Sequence, residues 1–136
     1  MKSQEFVIKC INSICKTFHT LYNLNWGGCC YMAYIIASFL EQNNIPFTIV
    51  FIDSDKSFNN FNDVDISVSH VSIKVKNTML NYSKSYKKFK HSEFSNITSK
   101  DILKYYNKVS WCNIYSKAQN LFIKSVFNKM MNHAIY

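Results

Sequence analysis

The sequence predicts an α+β domain, and three observations lead there. Two apolar helical stretches open the chain, β-branched and alternating segments fill its middle, and helical periodicity returns after residue 98. The order reads α, α, β, β, β, α, α within 136 residues. That length predicts one domain over residues 1–136, large enough to bury a core without staples.

Residues 5–22 (EFVIKCINSICKTFHTLY) place Phe6, Cys10, Ile14 and Phe18 on one stripe, with Val7, Ile11 and Leu21 beside it. That spacing predicts an amphipathic helix. NLNWGG interrupts it. Residues 29–43 are almost wholly apolar until Glu41, so the second helix is expected to be buried; Asn43-Asn44 end it and Pro46 forbids its continuation. PFTIVFI, residues 46–52, is β-branched and aromatic, a strand. Residues 53–65 read as a polar loop. Over 68–75, Val71, Ile73 and Val75 alternate with His70, Ser72 and Lys74, a strand with two unlike faces. Lys76-Asn77 is the turn, and residues 78–83 return as the antiparallel partner. The lysine-rich run that follows reads as a solvated loop. Thr98-Ser99-Lys100-Asp101 resembles a helix start, with one helix to about Asn107 and another over roughly 111–132. Tyr105, Tyr106, Trp111, Tyr115, Leu121 and Phe122 in these C-terminal helices read as core, the alternative being a docking stripe for a protein partner.

The net charge is +8, and every basic residue is lysine. Lys84, Lys87, Lys88 and Lys90 interleave with Tyr82, Tyr86 and Phe89, a pattern able to hold single-stranded nucleic acid. Phosphate readers usually exploit the planar fork of arginine, which this chain lacks, so nucleic acid is not the expected partner. The cysteines Cys10, Cys15, Cys29, Cys30 and Cys112 are odd in number and include no C-x-x-C pair, and the four histidines lack ligand spacing. Neither a disulfide framework nor a metal site is expected, and reduced thiols suit the cytosol. MKSQEF has no apolar leader core and no apolar run reaches a membrane span. The expectation is a cytoplasmic protein with no membrane association, no metal and no cofactor.

The two glycines, Gly27 and Gly28, are adjacent, between two helices and immediately before two cysteines. Glycine permits positive φ and close backbone approach to a ligand, and that permission is concentrated here. A cysteine that follows starts a helix, where orphan N–H groups and the positive end of the macrodipole favour the nucleophilic thiolate. A tight turn followed by two core cysteines fits the same residues. A nucleophile needs a base, and histidine suits that role near neutrality. His70 lies opposite Val71, Ile73 and Val75, as a surface histidine does, but a strand set against the start of the cysteine helix brings it to the thiol. His19, His91 and His133 have no comparable support. Extending the hairpin register sets Ser72 opposite Asn81 and His70 opposite Ser83, so Asn81 stands one diagonal step from His70, on its face. That makes Asn81 the candidate to orient the imidazole. For the oxyanion, the nucleophile's own N–H is one donor, and Asn23, Asn25 or Trp26 are candidates for the second.

Gly27, Cys29 and Ala33 in GGCCYMA, Ile45-Pro46 at the helix exit, then SHVSIKV and TMLNYS, together resemble the transglutaminase-like branch of the papain-like superfamily. The resemblance covers residues 23–83 and implies a buried cysteine helix on a small antiparallel sheet, here with added C-terminal helices over about 98–133. It also implies a thiol enzyme acting on peptide, isopeptide or amide bonds of a protein or peptide substrate: a peptidase, amidase or acyl transferase with Cys29, His70 and Asn81 as the catalytic residues. Asn81 stands where this branch has Asp; the papain branch uses Asn. Tyr31 favours Cys30 as nucleophile through Gly28, whereas the small-residue face Cys29, Ala33 and Ala37 favours Cys29. The family's tryptophan after the histidine is absent, which leaves a catalytically inactive scaffold or binding module as the alternative.

Overall fold

The first helix forms where apolar residues recur every three or four positions. The computed structural model describes residues 3–22, 29–65, 67–109 and 117–136, and α1 spans Gln4–Tyr22. Its buried seam is Val7, Ile11, Ile14, Cys15 and Phe18, while Phe6 and Leu21 are exposed. The seam is turned one position from the expected Phe6–Cys10 stripe at its start and rejoins it at Ile14 and Phe18, the face that the last helix and the sheet cover.

Helix α2 (Cys29–Gln42) buries every residue from Cys30 to Leu40 except Tyr34, which is half-buried. A helix apolar on all sides belongs in the middle of a fold, and α2 packs against the sheet and both C-terminal helices. Ala33 and Ala37 are buried on it, small enough to allow close packing. Asn44 ends it in the left-handed region at φ 56, and Ile45 N–H donates to the Leu40 carbonyl at 2.9 Å, closing the helix end. Glu41 accepts from both the N–H and the hydroxyl of Ser99, tying α2 to the start of α3 (Ser99–Lys108). Thr98 and Asp101 form the capping box that opens α3.

The sheet has the order β3-β2-β1-β4 and is antiparallel throughout. Its strands are β1 (Thr48–Asp53), β2 (His70–Val75), β3 (Thr78–Leu80) and β4 (Lys90–Phe94). Lys76, at φ 54, starts the hairpin turn, and the pairing Ile73 with Leu80 is the register the sequence predicts. Strand β3 is shorter than predicted: it stops at Leu80 because Asn81 turns to φ 58, outside the extended region. The lysine-rich run is not wholly loop. It holds a 3-10 turn at Lys84–Tyr86 and then β4, an edge strand with Ser92 as its one buried residue. Ile49, Phe51, Val71, Ile73, Val75 and Leu80 face the helices in one core. Ile52, Val50, His70, Ser72 and Lys74 alternate onto the other face.

Helix α4 (Lys117–Ile135) buries Asn120, Ile123, Phe127, Met131 and Ile135. Phe127 packs edge-on to Phe18 at 6.2 Å and to Phe39 at 6.0 Å, joining α1, α2 and α4. Tyr105 and Tyr106 are core as predicted. Leu121 and Phe122 are not: they lie off the Phe127 seam and are 56% and 60% exposed. Trp111 and Tyr115 lie outside the described residues. Among the described residues, no helix is long and apolar enough to cross a membrane.

Candidate active site

The site is built around the place where β3 ends. Asparagine tolerates the left-handed region better than most residues, and at Asn81 that turn swings the main chain out of the sheet. Its N–H donates to Asn12 Oδ1 of α1 at 3.0 Å. Its carbonyl points back at β2, accepting from His70 Nε2 at 2.7 Å and from the Ser72 hydroxyl at 2.9 Å. Its side-chain Oδ1 pairs with His19 Nε2 near the end of α1.

His70, the first residue of β2, is only 2% exposed. A carbonyl can only accept, so Nε2 carries the proton and neutral His70 keeps its lone pair on Nδ1. The Tyr86 ring lies nearly flat over the imidazole, 4.7 Å between centroids and 14° from parallel. Burial is the largest influence on His70 and pulls its pKa below the ordinary 6.5; the Asn81 carbonyl acts in the opposite sense, and the charge of nearby His19 lowers it further. His70 is therefore uncharged at neutral pH. The face opposite Val71 is covered, not open to solvent as its alternation suggests, because residues 81–89 fold across it.

Cys29 is the first residue of α2 and half-buried, whereas Cys30 is buried at 6% exposure. Cys29 sits in the turn whose N–H groups point out of the helix end, a position that favours negative charge on sulfur. Tyr86 feels the charge of Cys29 and stacks on the histidine. Its phenol is held above the ordinary value of 10.0 first by burial and then by charge on Cys29, while its ring rests on His70. Gly27, Gly28, Asn23, Asn25 and Trp26 lie outside the described residues.

Asn81 does meet His70, but through its main-chain carbonyl. The side chain expected to orient the imidazole is instead occupied by His19, because the turn at φ 58 points C=O toward β2 and the amide toward α1. Sequence reasoning sets His19 aside as a base and reads Tyr86 only within the lysine-rich run, yet both line a cavity of about 570 Å³ with His70 and Asn81. A signal for His19 exists: Asn12 and His19 stand seven apart, two turns of one helix, and mark a polar strip beside the apolar seam. His91 is engaged elsewhere, by the Tyr82 hydroxyl and the Phe89 carbonyl. Among the described residues, no group of three or more His, Cys, Asp or Glu is placed to hold a metal ion. Comparison with family models, with curated proteins and, by structure, with solved folds finds no match to this chain.

Proposed function

We propose that this chain is a cysteine-dependent acyl-bond enzyme of the transglutaminase-like, papain-like kind. Cys29 is its nucleophile, His70 its base and Asn81 the residue that orients the base through its carbonyl. The observation that carries the reading is the state of His70: buried, neutral, its Nε2 proton held by Asn81 and its Nδ1 lone pair without a partner among the described residues. In the cycle, Nδ1 takes the proton from the Cys29 thiol as sulfur attacks the carbonyl carbon of an amide. The tetrahedral adduct collapses, the C–N bond breaks, and the amine leaves with the proton from Nδ1. A thioester remains on Cys29. Water, losing a proton to His70, then attacks the thioester; the C–S bond breaks, Cys29 sulfur takes the proton back from His70, and a carboxylic acid is released, an amine in place of water completing transfer instead. The substrate is a protein or peptide.

A catalytically inactive scaffold that binds protein draws on one observation, the pairing of the Asn81 side chain with His19 instead of with the proposed base. Alkylation by iodoacetamide across pH 5–9, mapped to each cysteine in wild type, His70→Ala and His70→Gln, separates the two. The enzyme reading expects Cys29 to react well ahead of Cys10 at pH 6–7 and to lose that lead in both variants. Rates at Cys29 that match Cys10, or that ignore His70, leave the scaffold.

A further inference from the structure

The cavity beside His70 is donor-rich, and no acid lines it among the described residues. Lys16 of α1 and Lys84 of the covering segment stand on its rim, both exposed, and neither pairs with a carboxylate among the described residues. Deeper in the same lining lie His19 and Asn81. Asn81 is only 7% exposed, yet among the described residues its Nδ2 has no hydrogen-bond partner, and neither has His19 Nδ1. A buried amide N–H without an acceptor costs about 1–3 kcal/mol, so Asn81 Nδ2 marks a place where a ligand oxygen is favoured, whereas His19, whose Nε2 donates to Asn81 Oδ1, offers Nδ1 to an oxygen only as imidazolium.

We infer that this cavity is a carboxylate subsite, and, resting on the thiol-enzyme reading, that it selects acyl substrates carrying an acidic group near the bond attacked. Asn81 Nδ2–H donates to one carboxylate oxygen at the cavity floor. His19 Nδ1, when protonated, donates to the other, and the two ammonium groups attract the charge from the rim. A single negative charge fits better than a phosphate dianion. The end of α1 that carries Lys16 and His19 is its C-terminal end, where the macrodipole is negative, and no arginine fork is present.

Two measurements on the full chain test this. Glutarate, titrated against the imidazole NMR signals, is expected to shift the His19 resonance saturably. Lys16→Ala/Lys84→Ala should weaken binding roughly tenfold, the worth of one hydrogen bond to a charged group. Both lysines are exposed, so the double variant should fold; its amide spectrum checks this. No saturable shift, or affinity indifferent to the lysines, overturns the subsite, and equal or tighter binding of inorganic phosphate overturns its carboxylate character. The second measurement is the ratio of iodoacetate to iodoacetamide rates at Cys29. The anionic reagent should gain roughly tenfold relative to its ratio at Cys10, and lose that gain in the double variant. If glutarate binds but the two ratios are equal, the pocket does not serve this thiol. If the neutral reagent finds no reactive Cys29 while glutarate still binds through the lysines, the enzyme reading fails and the carboxylate site stands.

Discussion

His70 and His91 both pair with Ile52, one from each side of β1, and so share a face of the sheet. Their fates differ because their strands do. Strand β2 is interior, and His70 is enclosed by Tyr86 and the Asn81 turn. Strand β4 is an edge, and His91 stays half-exposed with both ring nitrogens engaged: Nδ1 donates to the Phe89 carbonyl and Nε2 accepts from the Tyr82 hydroxyl, each at 2.9 Å. A base needs a lone pair that nothing else uses. Among the described residues His70 has one and His91 has none, so two residues of one type, on one face, are chemically unlike.

The largest expected effect tests that contrast directly. With p-nitrophenyl acetate as acyl donor, His70→Ala should lower the rate of p-nitrophenolate release by about 10²-fold or more, the usual worth of a general base. His91→Ala should keep most of it; equal losses would dissolve the distinction. Stability against pH is the next test. Folded His70 titrates below its unfolded 6.5, so between the two values the unfolded chain binds more protons. The contribution is complete above 6.5 and falls as pH drops through that window. The urea midpoint should therefore decline from pH 7 toward pH 5 in wild type and in His91→Gln, and decline less in His70→Gln. Replacing the covering ring comes third. Tyr86→Leu should cost about 0.5–1.5 kcal/mol for the lost stacking and move the NMR titration of His70 back toward 6.5. Tyr82→Phe should leave that titration in place. The smallest effect belongs to the ion pair Lys74–Glu93, which bridges β2 and β4 at 3.2 Å on the same face. Glu93 is about half exposed there, so Glu93→Gln should change the thermal midpoint by no more than about 1 kcal/mol allows.

The same contrast explains what could be read from the sequence. Strands β1 and β2 announce themselves because interior strands need apolar or alternating residues, and the β2–β3 register follows from the turn at Lys76-Asn77. Strand β4, Lys-His-Ser-Glu-Phe, carries no such signal: one edge and most of its side chains meet water, so nothing forces hydrophobic alternation. The lysines of the covering segment are solvated as their chemistry suggests, while Tyr82, Tyr86 and Phe89 between them turn inward, a split invisible in composition. Cys29, His70 and Asn81 were each legible as residue types in suitable local settings. Which atom of Asn81 meets His70 was not, since it depends on a single backbone angle. The approach of His19 was not either, since it joins residues 62 apart through tertiary packing alone.

Asn81 holds four residues at once, and their separations in the chain have a kinetic meaning. Asn12 is 69 positions away and His19 is 62, while His70 and Ser72 are 11 and 9. The near pair can close as soon as the hairpin forms; the distant pair must wait for the N-terminal helix to come back and dock, an event of high contact order. On a ribosome, Cys29 emerges well before His70; the Asn81 carbonyl can take the imidazole only after residue 81 has left the tunnel, and the contacts of Asn81 with Asn12 and His19 follow when α1 docks. On the proposed thiol-enzyme reading, the order of synthesis keeps Cys29 without an oriented base until residue 81 has emerged.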